Sequence, residues 1–64
     1  MKTITTDARA GYTWTAKAES FEEMADRLYG CFTGWKLRIL DEKFAHIVKE
    51  NDNSYIVAIM KIAD

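Results

Sequence analysis

From Tyr55 to Ile62 the chain alternates between two sets of side chains that are both apolar until Lys61. Ile56, Ala58, Met60 and Ile62 form one set; Tyr55, Val57, Ile59 and Lys61 form the other. Successive side chains of an extended chain point to opposite faces. A segment of this kind therefore wants cover on both sides, and its place is the middle of a sheet. The rest of the chain has to supply neighbours and a lid.

The neighbours are legible as further alternating runs. In Tyr12-Thr13-Trp14-Thr15-Ala16-Lys17-Ala18 the set Tyr12, Trp14, Ala16 and Ala18 is set against Thr13, Thr15 and Lys17, the pattern of a half-buried strand. Lys2 to Thr6 is Thr-rich with Ile4 as its core material, and reads as an edge strand returning through a turn at Gly11. In Trp35 to Leu40, the set Trp35, Leu37 and Ile39 alternates with Lys36 and Arg38. Phe44 to Glu50 also fits a helical stripe. The turn formers Asp41-Glu42-Lys43 before it and Asn51-Asp52-Asn53-Ser54 after it favour a strand, with Asn and Asp tolerating the positive φ of a tight hairpin.

Only Ser20 to Tyr29 reads firmly as a helix. Ser20 is placed to cap it and Glu23 completes a capping box. Phe21, Met24, Ala25, Leu28 and Tyr29 line one face, and Glu23 and Arg27 are spaced for an i,i+4 pair. Gly30 is the favoured stop, although Phe32 continues the stripe toward Gly34. The expected architecture is α+β: one helix packed on an antiparallel sheet, as a ββαβββ (or αβββ) meander, in a single domain spanning residues 1–64. Trp14, Leu28, Leu37, Ile39, Val57 and Ile59, or their opposite-parity neighbours, are expected in the core.

A chain of 64 residues buries only ~60% of the surface its unfolded form exposes, so it gains from a staple. One Cys rules out an internal disulfide, and one His with one Cys cannot complete a four-ligand zinc site. No metal or cofactor is expected, and oligomerisation is the staple left open. A net charge of -1 is that of neither a polycation nor an acidic tail. No run reaches the ~18 apolar residues of a membrane span, and the N-terminus lacks the apolar stretch of a secretory signal, so a cytoplasmic protein without a membrane partner is expected.

Cys31 and His46 are the only conventional nucleophile and base, and nothing in their spacing pairs them. Asp52 and its neighbours suggest turn chemistry, since a calcium loop needs ~6–8 oxygens from a longer, Gly-containing segment. Glu19, Glu22, Glu23 and Asp26 form an acidic helix face that suits the helix dipole; mimicry of nucleic-acid phosphate is the functional reading beside it. Lys36, Arg38, Trp35, Tyr55, Lys49 and Lys61 offer a basic-aromatic set, but alternation sends Trp35 to the face opposite Lys36 and Arg38. With one short helix to cover one face, Tyr55, Val57 and Ile59 are left as an apolar face that needs a partner. The expectation is a non-enzymatic protein-interaction module (an adaptor, inhibitor or regulator), forming a homodimer or binding a protein partner through Tyr55, Val57 and Ile59. The alternative is weak nucleic-acid binding by a Lys36/Arg38 sheet face.

Overall fold

In a computed structural model, which describes residues 1–31 and 33–63, the chain is an α+β fold of one helix on one antiparallel sheet. The elements run β1 (Lys2–Ala8), β2 (Thr13–Ala18), α1 (Phe21–Tyr29), β3 (Trp35–Ile39), β4 (Phe44–Lys49) and β5 (Asp52–Ile62). The five strands lie in the order β2-β1-β5-β4-β3, so β5 is the central strand that its two-sided apolar pattern demands. Phe44 to Lys49 is a strand, not a helix.

The hairpin β1–β2 and the meander β3–β4–β5 meet where β1 pairs with β5, from Ile4 opposite Ile62 to Ala8 opposite Ala58. β1 is therefore an interior strand, a correction to its reading as an edge, and Ile4 is fully buried. The N-terminal strands widen the sheet instead of folding over it. β2 and β3 are the two edges, and α1 is the link between them. A nine-residue helix spans about 13 Å, against roughly 19 Å across five strands, so with its loops it bridges one face from edge to edge.

The helix begins as its sequence dictates. The Ser20 side chain accepts the Glu23 amide at 3.2 Å, and the Glu23 carboxylate accepts the Glu19 amide at 3.0 Å. Glu23 also pairs with Arg27 at 3.0 Å, and Arg27 donates to the Lys17 carbonyl at 3.0 Å, tying the helix to β2. The helix stops at Gly30, whose backbone stays right-handed; a Cβ there would overlap the Asp26 carbonyl oxygen. Phe32, the suggested continuation, lies outside the described residues. Positive φ occurs at Gly11, in the β1–β2 turn, and at Gly34, where β3 begins; both conformations suit a residue without a Cβ. Asn and Asp are not used this way: among the described residues no other position has positive φ. Instead, Asp41 accepts the amides of Lys43 and Phe44 at 2.8 and 2.9 Å, closing the β3–β4 turn from a side chain.

Phe21, Met24, Ala25 and Tyr29 press onto Ile4, Ala18, Ala45, Ile47, Ala58, Met60 and Ile62. This core differs from the expected one at Trp14, Ile39 and Ile59, which are 48%, 52% and 43% exposed. Trp14 and Ile39 lie on the edge strands. Ile59 lies in the row facing away from the helix, and its neighbours Ala58 and Met60 are the buried pair. Thr6 sits fully buried between Trp14 and Met60 in register, and its Oγ1 has no hydrogen-bond partner. A buried unpaired hydroxyl is a net cost that an isosteric methyl removes. Thr6→Val should therefore stabilise the protein by about 1 kcal/mol and raise its melting temperature by roughly 4–8 °C. Met24→Ala, at a fully buried position, should cost about 2–5 kcal/mol in the same calorimetric measurement.

Candidate functional site

The register between β4 and β5 breaks twice, between Ile47 and Val48 and again between Val48 and Lys49. Ile47 pairs with Ala58, but Val48 pairs with Ile56, so Val57 is an extra residue on β5. Both Ala58 and Val57 consequently pack against the core beneath the helix. Past Val57, Ile56 takes the side away from the helix with Val48, and Tyr55, inside the second break before the Lys49–Asp52 pair, stands with Val57 on the helix side. The expected face of Tyr55, Val57 and Ile59 is thus divided, with Ile59 alone on the side away from the helix.

These breaks deliver Tyr55 to an aromatic cluster at the end of the sheet where α1 finishes. Lys49 is paired with Trp35, and its ammonium lies 4.3 Å from the centre of the Tyr55 ring. Arg9, just beyond β1, brings its guanidinium carbon to 4.4 Å of the same centre. Tyr12 and Trp14 stand beside them as an edge-to-face pair, 4.8 Å between centroids and 84° between planes. They are 47% and 48% exposed. On the far side Trp35 donates its indole N–H to the Tyr29 carbonyl at the helix end, and the two rings lie 6.0 Å apart. Tyr12 and Val57 line both of the adjoining depressions here. One is completed by Arg9 and Tyr55, the other by Tyr29, Trp35 and Lys49. Joined through Tyr12 and Val57, they make a shallow groove with largely aromatic walls, and the charged residues that line it are Arg9 and Lys49.

Burial pushes the Tyr29 phenol above its ordinary value, and the neighbouring Tyr12 adds to this. At the rim, the Ser54 hydroxyl and amide donate to Asp52 at 2.6 and 3.1 Å and hold its carboxyl below the usual range; nearby Lys49 acts in the same direction.

The basic-aromatic set suggested by the sequence is therefore split in two. Trp35, Lys49 and Tyr55 meet in the groove, completed by Arg9, Tyr12 and Trp14. Lys36, Arg38 and Lys61 face the other way. The aromatic signal at Tyr12 and Trp14 was visible but reads as core. What marks them as surface is that the small Ala16 and Ala18 are the members of the strand that meet the helix side of the core.

Cys31 is exposed in the loop after α1. His46 is half-buried in the row facing away from the helix, and its Nδ1 is buried without a hydrogen-bond partner. Among the described residues no group of three or more His, Cys, Asp or Glu is arranged to hold a metal ion. No helix among them is long and apolar enough to cross a membrane. Comparison of the chain with family models, with curated proteins and with solved structures returned no match.

The Asp52 contacts carry a sign for pH dependence. A carboxyl depressed in the folded state stabilises it above the ordinary carboxylate pKa near 4, and that contribution is lost as pH falls through the folded value. Thermal melts between about pH 6 and pH 2 should show a smaller acid-side loss for Asp52→Asn than for the parent chain.

Proposed function

We propose that this chain is a non-enzymatic protein-interaction module whose working surface is the groove of Tyr12, Trp14, Tyr55, Trp35, Arg9 and Lys49. The observation that carries the reading is the exposed Tyr12–Trp14 pair beside a Tyr55 ring shared by two cations. Trp, Tyr and Arg are the residues on which binding energy concentrates at protein interfaces. The two aromatics combine large apolar area with few rotatable bonds, so fixing them on binding costs little entropy. The hydrogen bond from Trp35 to Tyr29 further pre-orders one wall.

The chemistry favours a partner segment that offers an aliphatic or aromatic anchor and a carboxylate. The anchor would lie against Val57 between Tyr12 and Trp35, and the carboxylate would meet Arg9 or Lys49. This reading shifts the interaction site from the expected set: Tyr55 and Val57 remain part of it, and Ile59 does not. It also favours a different protein over a second copy. A symmetric dimer through the face opposite the helix would set Lys36, Arg38 and Lys61 against their own duplicates.

Selection of a displayed peptide library on the immobilised protein tests the proposal. Enriched peptides should carry a large apolar residue near an acidic one. Trp14→Ala should weaken them by about 2 kcal/mol, roughly thirtyfold in affinity. Lys36→Glu, on the other face, should leave binding unchanged. An absence of enriched peptides, or peptides indifferent to Trp14→Ala, would overturn it.

A further inference from the structure

The face of the sheet turned away from the helix is open, and its charge is not that of the whole chain. Directly opposed residues of antiparallel strands share a face. The registers therefore place Thr15, Thr5, Lys61 and Phe44 in one row and Thr13, Asp7, Ile59, His46 and Arg38 in the next. Lys17 beside Thr3, and Lys36 beside the buried Val48 with its partner Ile56, complete the face. Its charges are Lys17, Lys36, Arg38 and Lys61 against Asp7 alone. The acidic residues Glu19, Glu22 and Asp26 are exposed on and just before the helix, on the other side of the molecule. The near-neutral total of -1 thus hides a basic sheet face behind an acidic helix.

Two rings lie within this basic face. Phe44, 42% exposed, and the half-buried His46 are two residues apart on β4, so their Cβ atoms are about 7 Å apart along the strand. Each is opposed across the ladder by a cation: Phe44 by Lys61 and His46 by Arg38. A spacing near 7 Å is roughly twice the ~3.4 Å rise between bases in a duplex strand, which suits bases splayed apart on separate rings.

We propose that this face binds single-stranded nucleic acid, with Phe44 and His46 as stacking platforms and Lys36, Arg38 and Lys61 as phosphate contacts. Stacking on a sheet aromatic needs an unpaired base, and a cation beside each ring meets the phosphate of the nucleotide that stacks there. The observation that selects a polyanion over a second copy is charge: identical basic faces repel. The pairing of each ring with a cation is what selects nucleic acid over an acidic protein surface. The site is separate from the aromatic groove and does not depend on it.

The test is fluorescence anisotropy with a labelled oligothymidylate of about a dozen nucleotides, titrated at several salt concentrations. The dissociation constant should weaken with salt along a log–log slope of roughly 2, as expected for three phosphate contacts on a single strand. Phe44→Ala should weaken binding at least about fivefold while Phe44→Tyr retains it. Arg38→Glu with Lys61→Glu should abolish binding, and Lys36→Gln should lower both affinity and salt slope should the double variant fail to fold. Trp14→Ala should bind as the parent does, and a duplex of the same sequence should bind more weakly. The proposal is overturned by any of three results: no binding at low salt; equal binding of polyglutamate with Phe44→Ala silent, which would point to an acidic protein; or loss of binding through Trp14→Ala in place of Phe44→Ala.

Discussion

The pairing of β1 with β5 is the contact on which everything else rests. It joins the first and last strands of the chain at the middle of the sheet, where Ile4 meets Ile62 and Thr6 meets Met60. Without it there would be a hairpin and a three-stranded meander, neither with enough buried apolar surface to offset chain entropy. With it, the two halves share one ladder. The helix that connects their outer edges is then obliged to cross the sheet, and it crosses the face that carries Ile4, Ile47, Ala58 and Met60. The pairing also closes the longest loop in sequence, which makes it the entropically costly step and the one that a chain this short must secure by burying Ile4, Met60 and Ile62.

Once the helix covers one face, polar and charged residues sort across the sheet. On β1 and β2, Thr3, Thr5, Thr13, Thr15 and Lys17 take the open face, and Thr5 and Thr15 join hydroxyls at 3.1 Å. The helix keeps its carboxylates near its N-terminus, where the dipole stabilises them. The resulting separation of charge follows from the same alternation that builds the core, and needs no excess of either sign in the composition.

The bulge at Val57 has consequences out of proportion to one residue. It turns Tyr55 toward Lys49 and Arg9, lets Val57 join the core, and leaves Ile59 on the far side. A regular β5 would put Tyr55, Val57 and Ile59 together as one apolar face and leave the groove without its central ring. Bulges occur where a sheet re-aims a side chain, and here the re-aimed ring is the one that links the aromatic wall at Tyr12 and Trp14 to that at Trp35.

Local chemistry in the sequence determined the elements. The capping box from Ser20 to Glu23, the stripe from Phe21 to Tyr29, and the alternation in Tyr12–Ala18, Trp35–Leu40 and Tyr55–Ile62 act over a few residues, and each forms its element in the fold, the last with its alternation broken at Val57. The centrality of β5 also followed, because a strand apolar on both sides has few other places to go. The interior position of β1 did not follow: Lys2–Thr6 is polar enough for an edge, and only the return of β5 beside it makes Ile4 core. Nor did the groove. Arg9 and Tyr12 are far in sequence from Lys49 and Tyr55, and the two pairs meet only because strand order and the register breaks in β5 bring them to the same end of the same face. Periodicity fixes a face relative to its near neighbours, and a bulge resets that parity without leaving a mark in the pattern. Which aromatics are buried and which stand in water was therefore decided by the tertiary structure alone.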